Sequence, residues 1–313
     1  MSIRVSTDNF VRAETARMFD GTLQRSKLNE WWHLRGPVPL DAQAVIRMNR
    51  DTLYSSAIVD ISKGATLTLP EVGDRYISVM VINEDHYINR ILTKPGDHHL
   101  GMDEFDTPYV AVTARTFVDP VDPDDVAVVN AAQDEMRIDA ASAVAYTHPD
   151  YDAATLDVTR NALLTLSQGL PDTHRMFGAA SDVDPIRHLI GTAFGWGGLP
   201  ETEAFYVFES EPRPAGHQRI TFRDVPVDSF WSFTVYNRDG YFEANPYDSY
   251  SLNSVTSHPD PDGSVTIDLA PTDAGYRNFL YVMDGWNYAI RFYRSRPEIL
   301  DGTWKPPAPA PID

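Results

Sequence analysis

Cysteine is absent from the 313-residue sequence, and this absence removes several kinds of functional site at once. Without a thiol, the chain cannot form disulfides, thiolate metal sites, iron–sulfur clusters or a cysteine nucleophile. The absence does not identify a cellular compartment, because secreted proteins can also do without disulfides.

Long hydrophobic runs are also missing. Nowhere do about eighteen apolar residues follow one another, as a membrane-spanning helix requires. The opening stretch MSIRVSTDNFVRAETARMF lacks the apolar core of a signal peptide. We therefore expect a soluble, cytoplasmic protein, with a trimmed mature form of an exported protein as the alternative.

Basic residues are few compared with acidic ones. The 26 lysines and arginines are outnumbered by 45 aspartates and glutamates, which gives a formal charge of −19. Such a charge repels phosphate backbones and anionic lipid headgroups before any specific contact forms. We therefore predict that neither nucleic acid nor a membrane is a partner, and the sequence leaves the oligomeric state open.

The motifs of several common enzyme classes do not occur. The chain has no G-x-S-x-G elbow, no H-E-x-x-H helix, no Walker A loop and no dinucleotide fingerprint after a strand. Its nine histidines are scattered, and only His98 and His99 adjoin. Neighbours on a strand point to opposite faces, so this pair is a poor metal site. We predict neither a cofactor nor a bound metal.

The patterns that are present begin with a helix and continue with short strands. Residues 9–24 have helical periodicity, with Asp8 as the candidate N-cap. Short β-rich runs with turn residues between them follow, and they are typical of an antiparallel sandwich. In the run RYISVMVI, the side chains of Ile77, Val79 and Val81 share one face, which we expect to lie in the core.

Helical periodicity returns in the middle of the chain, and the final third is again β-rich. Asp184 is predicted to cap one of the middle helices, with Pro185 in its first turn. Hairpin-type turns are predicted at residues 237–240 and 261–263. The proline-rich tail at 306–311 is expected to be an extended cover strand or a disordered end.

Three polar clusters are candidates for chemistry, and the first is the stretch NRDTLYSS at the start of a predicted strand. It supplies a carboxylate at Asp51 and a phenol at Tyr54, which together can act as a base and a proton donor. The alternative is a backbone turn that is braced by Arg50.

The second cluster is the stretch NEDHYINR, in which His86 follows two carboxylates. A carboxylate beside an imidazole can fix its tautomer and raise its basicity, as a catalytic base requires. Neighbours in sequence rarely form such a hydrogen bond, so a solvated acidic turn is the alternative.

The third cluster is the aromatic stretch FWSFTVYNRDGYFEANPYDSYSLNS. Strand alternation places Trp231 on one face and Tyr236 on the opposite face, and Tyr241, Asn245 and Tyr250 follow in a loop. Aromatic rings with amide partners are typical of a pocket for a polar organic molecule or a sugar. They are equally typical of rings that close one end of a β-sandwich.

Several of these segments resemble a known family. The motifs N-x-DTLYS, LTLP, FWSFTVYNRDGYFEAN, SLNS, DGSVTI, GWNYAIRFYR and ILDGTW occur in an order similar to that of the bacterial two-domain family of domains of unknown function 1254 and 1214. Longer members carry an N-W-L-P-x-P element before the last strand. This chain has Asn278-Phe279-Leu280-Tyr281 there and so resembles the shorter, compact branch.

The resemblance implies a mainly β fold with helical segments. It implies an immunoglobulin-like β-sandwich first, a jelly-roll-like β-sandwich last and a small helical region between them. Combined with the patterns above, this gives an N-terminal helix within 1–30, the first sandwich at 31–120, a helical connector at 121–204 and the second sandwich at 205–313. The family carries no assigned reaction, and a fold alone cannot supply one.

We expect a cofactor-independent enzyme, either a hydrolase or a lyase. It would hold a small organic or sugar-like substrate between the two sandwiches. Asp51 would be the base, Tyr54 the proton donor or oxyanion partner, and His86 a further catalytic candidate. The predicted substrate-binding residues are Asn49, Trp231, Tyr236, Tyr241, Asn245, Tyr250 and Arg291. The alternatives are a non-catalytic protein that binds carbohydrate, a small molecule or a partner chain, and a purely structural role for the NRDTLYS motif.

Overall fold

The computed structural model describes residues 2–43, 46–170 and 172–312. The chain divides into two compact units, and each unit contains two segments that are separated in sequence. The first unit comprises Met1–Gly36 and Thr52–Pro200, and the second comprises Pro37–Asp51 and Glu201–Asp313. The segment 37–51 therefore belongs with strands that follow it much later in the sequence.

The first unit is a β-sandwich with helices. Its strands are β1 (Trp32–His33), β2 (Thr52–Asp60), β3 (Ala65–Leu69), β4 (Ile77–Asn83), β5 (Ile88–Leu92), β6 (Gly96–Leu100), β7 (Tyr109–Phe117) and β8 (Arg137–Ala140). Its helices are α1 (Phe10–Leu23), α2 (Met102–Phe105), α3 (Pro123–Glu135), α4 (Ala153–Ser167) and α5 (Pro185–Gly195). One antiparallel sheet has the strand order β1-β2-β7-β4-β5, and the other has the order β6-β3-β8.

The core of the first unit lies between these two sheets. Ile77, Val79 and Val81 on β4 pack in one cluster with Leu67 on β3, as their alternation predicts. The opposite face of β4 is buried as well, because every residue of this strand is buried. Met80 lies on that second face, and its Cε is 3.7 Å from where a Cβ at Gly197, just after α5, would lie. The strand is therefore covered on both sides.

The second unit is also a β-sandwich. Its strands are β9 (Ala204–Arg213), β10 (Gln218–Phe222), β11 (Trp231–Tyr236), β12 (Ser251–Asn253), β13 (Val265–Ala270), β14 (Phe279–Tyr281), β15 (Trp286–Tyr293) and β16 (Ala310–Pro311), and its helix is α6 (Pro297–Leu300). One sheet has the order β14-β13-β10-β16, and the other has the order β12-β11-β15-β9. The β13–β14 pair is parallel, and the other pairs are antiparallel.

The core of the second unit contains large aromatic side chains from both sheets. Trp231 and Phe233 on β11 point inward and pack with Ile267 on β13. The ring of Trp231 stacks on that of Phe222 with centroids 4.0 Å apart. Burial of this apolar area is the main stabilising contribution to the unit.

The predicted fold class is confirmed: the chain is mainly β, with two sandwiches and a small helical region. Asp184 caps α5, since its carboxylate accepts hydrogen bonds from the backbone N–H groups of Ile186 and Arg187 at 3.0 Å. The segment predicted as a helical connector also contributes β8, which pairs with β3. Among the helices of the described residues, none is both long and apolar enough to cross a membrane.

Two local predictions need correction. The N-cap of α1 is Asn9 and not Asp8, and the Asn9 side chain holds the preceding turn by accepting from the N–H of Ser6 at 2.9 Å. The turn at 261–263 does not close a hairpin, because β12 pairs with β11 whereas β13 pairs with β10 and β14. The turn residues set the local bend, but the core decides which strands pair.

The tail has the first of its two expected conformations at its end. Ala310 and Pro311 form an edge strand that pairs with Arg219 and Gln218 on β10. Proline is tolerated there because an edge strand has one side without ladder hydrogen bonds.

The sandwich core of the second unit predicts a large cost for truncating Phe233, which is fully buried. We expect Phe233→Ala to lower the free energy of unfolding by about 3 to 5 kcal/mol, because it leaves a cavity between the sheets. Val255→Ala, at a side chain that is 61% exposed, is the control and should change it by less than about 0.5 kcal/mol. Urea denaturation measures both, and equal effects would contradict the assigned core.

Candidate functional site

The outer face of the sheet β12-β11-β15-β9 carries a buried polar cluster. Ser232, Thr234 and Tyr236 on β11 alternate with the core residues, and Arg291 on β15 is the register partner of Ser232. These four residues are buried, although they point away from the sandwich core. They are buried because the segment 47–51 of the same unit lies across this face and bonds to it.

Arg291 is the centre of the cluster. Its Nη1 donates to Thr234 Oγ1 at 3.0 Å, and its Nη2 donates to the Tyr236 hydroxyl at 2.8 Å and to the carbonyl of Arg47 at 2.7 Å. The Tyr236 hydroxyl in turn donates to the carbonyl of Met48 at 2.8 Å. The guanidinium therefore fastens the backbone of the segment 47–51 to the sheet.

Electrostatic interactions keep Arg291 charged. Burial alone lowers the pKa of Arg291, but Tyr236, Tyr293 and Asp51 act in the opposite direction and the net result is a raised pKa. Burial raises the pKa of the Tyr236 hydroxyl, so that group stays protonated. The cluster thus contains a fixed positive charge and neutral hydroxyl groups.

Asp51 lies at one end of the same cluster and is fully shielded from solvent. Its backbone N–H donates to Asn49 Oδ1 at 2.8 Å, and Asn49 Nδ2 donates to the Tyr293 hydroxyl at 2.9 Å. Its Oδ1 accepts a long bond of 3.4 Å from Asn253 Nδ2. Within the described residues, neither Asp51 Oδ2 nor Ser232 Oγ has a hydrogen-bond partner of good geometry.

Burial raises the pKa of the Asp51 carboxyl above its ordinary value. Arg291, Ser232 and Asn253 oppose this effect but do not cancel it. Ser232 is therefore close enough to influence the carboxyl, although its hydroxyl makes no well-aligned bond. A buried carboxyl with a raised pKa and an oxygen that makes no well-aligned hydrogen bond is a candidate for proton transfer.

Arg50 braces the neighbouring turn, as the structural alternative for this motif predicts. Its guanidinium lies 5.0 Å from the ring centroid of Tyr250 and 5.8 Å from that of Phe242, and it donates to the carbonyl of Val38 at 3.1 Å. Burial lowers the pKa of Arg50. The turn therefore has a structural support that is separate from Asp51.

The structure brings half of the predicted site residues together in the second unit. Those in or next to the buried cluster are Asn49, Asp51, Tyr236, Tyr250 and Arg291. Trp231 lies instead on the core face of β11, as the predicted alternation requires. Tyr241 and Asn245 lie in the loop after β11, where Tyr241 N–H donates to Asn237 Oδ1 at 3.0 Å.

Asn245 organises this loop. Its Oδ1 accepts from the N–H groups of Tyr247 at 3.1 Å and Ser249 at 3.2 Å, and its Nδ2 donates to the carbonyl of Ser249 at 3.1 Å. These are the bonds of an Asx-type turn. Asn245, which was predicted to bind substrate, therefore positions the loop.

The other predicted catalytic residues, Tyr54 and His86, belong to the first unit. Tyr54 is half-buried on β2, and its ring lies 5.4 Å from the guanidinium carbon of Arg115, its register partner on β7. Asp51 is the last residue of its segment of the second unit, and the chain enters the first unit at Thr52. The two members of the predicted pair are thus assigned to different units.

His86 is fully buried, so the expectation of a solvated turn is wrong at this residue. Its Nε2 accepts from the N–H of Gly197 at 2.9 Å, and its Nδ1 lies 2.8 Å from Thr192 Oγ1. Because Thr192 Oγ1 donates to the carbonyl of His188, Nδ1 must carry the proton. Both ring nitrogens are engaged, which gives His86 a structural environment in this unit.

The charges around His86 also differ from the expectation. Burial lowers the pKa of the imidazole well below its ordinary value, and His188 adds to this effect. The adjacent carboxylates do not contact the ring but hold Arg12, which donates to Glu84 at 2.9 Å and to Asp85 at 2.8 Å. The imidazole is therefore neutral at physiological pH.

Sequence analysis missed three members of the cluster, namely Ser232, Thr234 and Asn253. Ser232 and Thr234 follow from the alternation that placed Tyr236 on the outer face. Asn253 belongs to the SLNS motif, and its Oδ1 accepts from Val255 N–H at 3.0 Å. The signals were present, but nothing in the sequence showed which segment would cover this face.

No metal centre is found in the part of the chain that the structure describes. There, no three or more His, Asp or Glu side chains lie close enough together to hold an ion. His98 and His99 lie next to each other on β6, so their side chains point to opposite sides of the strand.

Comparisons with known proteins identify both domains. Residues 28–91 match the model of a protein of unknown function (DUF1254), and residues 211–297 match that of a protein of unknown function (DUF1214). The chain carries these two domains in this order, as its motifs predict. No curated protein matches the chain.

Two solved structures are similar to the chain. The VPA0106 protein from Vibrio parahaemolyticus has a TM-score of 0.78 at 18% identity, with 98% of each chain covered. An uncharacterised protein from Burkholderia cenocepacia has a TM-score of 0.54 at 14% identity, with 96% of this chain and 85% of that chain covered. At such low identity, these similarities show a shared fold alone.

The raised pKa of Asp51 predicts a particular pH dependence of stability. The pKa of Asp51 in the folded state lies above the unfolded value of about 3.9. Asp51 therefore contributes most to the free energy of unfolding below that pH, and this contribution is lost as the pH rises. Asparagine does not titrate. The stability of Asp51→Asn relative to the native protein should therefore increase between pH 4 and pH 7.

Urea denaturation at several pH values measures this difference. Asp239→Asn, at an exposed carboxyl in the same unit, is the control and should keep a constant difference from the native protein. If the stability of Asp51→Asn relative to the native protein stays constant or decreases with pH, the pKa of the Asp51 carboxyl is not raised.

The buried His86 predicts the opposite dependence. The pKa of His86 in the folded state lies below the unfolded value of about 6.5. Each pH unit below 6.5 therefore lowers the free energy of unfolding by about 1.4 kcal/mol, until the folded-state pKa is reached. His86→Asn should flatten this slope. Asparagine suits the site because it tolerates the left-handed backbone there, where φ is 62°.

Other histidines contribute to the same pH range, so the slopes of variants must be compared. Burial lowers the pKa of His33 to about 4, which adds a slope of the same sign, whereas the raised pKa of His148 opposes it. His99→Asn makes the same chemical change at an exposed site and is the matched control. Equal slopes for His86→Asn and the native protein would contradict a neutral buried imidazole.

Proposed function

We propose that this chain is an enzyme in which Asp51 transfers a proton to or from a small polar organic substrate. The observation that carries the proposal is the pair formed by Asp51 Oδ2 and Ser232 Oγ, two buried oxygens without well-aligned partners. Buried polar atoms without a partner are uncommon in folded proteins, and a catalytic role is one of the explanations for them. The proposal rests on residues of the second unit alone.

Asp51 acts as the general acid in this proposal. Its raised pKa keeps the proton on the carboxyl at a higher pH than for an exposed aspartate, so it can protonate a leaving group. The positive charge of Arg291 then stabilises the carboxylate that remains. In this proposal Ser232 orients the substrate by a hydrogen bond, and Asn253 holds the carboxyl of Asp51.

Hydrolysis and elimination are the proposed reaction classes. Each of them can proceed by proton transfer between a substrate, water and one carboxyl group, which Asp51 provides. A positioned general acid contributes about 10² to 10⁴ in rate, so removing it should be easy to detect.

Access to Asp51 requires local opening, because the carboxyl is fully shielded. The bonds that hold the segment 47–51 on the sheet include those from Arg291 to the Arg47 carbonyl and from Tyr236 to the Met48 carbonyl. Tyr236→Phe removes the second bond and should make opening more frequent. In this proposal, that variant reacts faster at saturating substrate when opening limits the rate.

The test uses chromogenic probes, namely a panel of p-nitrophenyl esters and p-nitrophenyl glycosides. We expect the native protein to release nitrophenol from at least one probe, and Asp51→Asn to lose at least about 100-fold of kcat. Asp239→Asn is the matched control, because it makes the same chemical change at an exposed carboxyl. It should keep the native rate.

Thermal unfolding of the same samples separates chemistry from folding. A slow Asp51→Asn that keeps the native Tm supports the proposal. Unchanged turnover in Asp51→Asn, or no release of nitrophenol by the native protein with any probe, overturns it. So does a loss of rate that disappears when both proteins are assayed well below the Tm of the variant.

A further inference from the structure

A connected group of aromatic side chains lies outside the core of the second unit, next to the edge strand β14. The rings of Tyr247 and Phe279 have centroids 5.1 Å apart, and Tyr276 and Phe279 are nearly parallel at 6.1 Å. Tyr281 joins the group through Tyr247, also at 6.1 Å. We refer to these four residues as the aromatic patch.

Strand geometry explains why these rings are at the surface. On β14, Leu280 points into the core and is 1% exposed, so its neighbours Phe279 and Tyr281 must point to the outer face. Both are half-buried, and Tyr247, in the loop after β11, is 41% exposed. The patch therefore presents part of its aromatic surface to solvent.

The rings are held in place before any ligand arrives. Ser249 Oγ donates to the carbonyl of Phe279 at 2.9 Å and accepts from the N–H of Tyr281 at 3.2 Å. Asn245 accepts from the N–H of Tyr247 at 3.1 Å within the loop. Ser249 therefore fastens this ordered loop to the strand. Such preorganisation reduces the entropy that a ligand would otherwise lose on binding.

Hydrogen-bonding groups adjoin the patch on the same sheet face. Asp268 on β13 is the register partner of Phe279, and its Oδ1 accepts from His217 Nε2 at 2.8 Å and from Arg219 Nε at 2.9 Å. The His217 ring lies 5.0 Å from that of Tyr276. Because Nε2 donates to Asp268, Nδ1 of a neutral imidazole is an acceptor that can receive a hydroxyl.

We propose that this face binds a neutral oligosaccharide. A pyranose ring has an apolar C–H face and a rim of hydroxyls, and here aromatic rings lie beside an imidazole, a carboxylate and a guanidinium. A connected row of rings suits an extended chain of sugars better than a single compact molecule. The formal charge of −19 disfavours anionic polysaccharides, so the proposed ligand is uncharged.

This site is separate from the one proposed for proton transfer. The aromatic patch belongs to the sheet β14-β13-β10-β16, whereas Ser232 and Arg291 belong to the other sheet of the unit. Asn245 acquires a role as a positioning residue, since it acts through Tyr247 and need not touch the ligand. A failure of one proposal therefore leaves the other standing.

Isothermal titration calorimetry with cellohexaose, maltohexaose and chitohexaose tests the proposal. At least one of these neutral hexaoses should bind the full-length protein with a Kd below about 1 mM. Tyr247→Ala and Tyr276→Ala should each raise that Kd at least about tenfold, because each removes a ring that would cover one sugar. Tyr247→Phe keeps the ring and should stay within about threefold of the native value.

Phe208→Ala is the matched control, because Phe208 is an exposed aromatic residue on β9, in the other sheet of the unit. It should bind like the native protein. Thermal unfolding confirms that each variant is folded. The proposal is overturned if none of the three hexaoses binds, if Phe208→Ala weakens binding as much as Tyr247→Ala, or if hexagalacturonate, an anionic chain, binds more tightly than all three.

Discussion

The buried guanidinium of Arg291 is the interaction on which the second unit depends. A charge without water must be paired by hydrogen bonds, and here the partners are Thr234, Tyr236 and the carbonyl of Arg47. Removing one partner of a buried charge is costly, so the segment that supplies the carbonyl is held firmly. The same charge influences Asp51, since it partly opposes the rise in the carboxyl pKa that burial causes.

This arrangement explains why a polar sheet face can be buried at all. Antiparallel sheets usually expose one face to water, and β11 has the alternation that such a sheet requires. Here the segment 47–51 supplies backbone carbonyls and an amide side chain where water would otherwise bond, for example between Asn49 and Tyr293. The cluster is therefore satisfied almost throughout, and the oxygens of Asp51 and Ser232 stand out against it.

The two sheets of the second unit differ in how their outer faces are finished. On the sheet with β11, the outer face is closed by chain from the same unit. On the sheet with β14, aromatic rings, His217 and Arg219 remain partly exposed around the buried Asp268. Chemistry that needs shielding from water suits the first face, and reversible recognition of an extended ligand suits the second.

Local patterns in the sequence predicted those features whose cause is local. Alternation placed Trp231 and Tyr236 on opposite faces of β11, and the Asp184-Pro185 pair identified the start of α5. Alternation did not show that the face with Trp231 is the core. His86 was not predictable, because its burial depends on Thr192 and Gly197, which lie 106 and 111 residues later. The aromatic patch was missed because it combines a loop residue with strand residues about thirty positions further along.

Contacts of long sequence separation also limited the prediction of the candidate site. The motif NRDTLYS was recognised as polar and turn-forming. However, Asn253 lies 202 residues after its partner Asp51, and Arg291 lies 244 residues after its partner Arg47. No periodicity reports such a pairing. The resemblance to a two-domain family supplied the fold class, whereas the assignment of 37–51 to the second unit required coordinates.

The division of the chain into interleaved segments has a consequence for its synthesis. Residues 37–51 leave the ribosome long before β11 and β15 are synthesised. Arg47 and Asp51 therefore cannot form their hydrogen bonds until those strands emerge. Closing so long a loop lowers the folding rate much more than it lowers the final stability. The second sandwich is thus expected to be the late, rate-limiting step of maturation, and the nascent protein to depend on protection from aggregation until its last strands emerge.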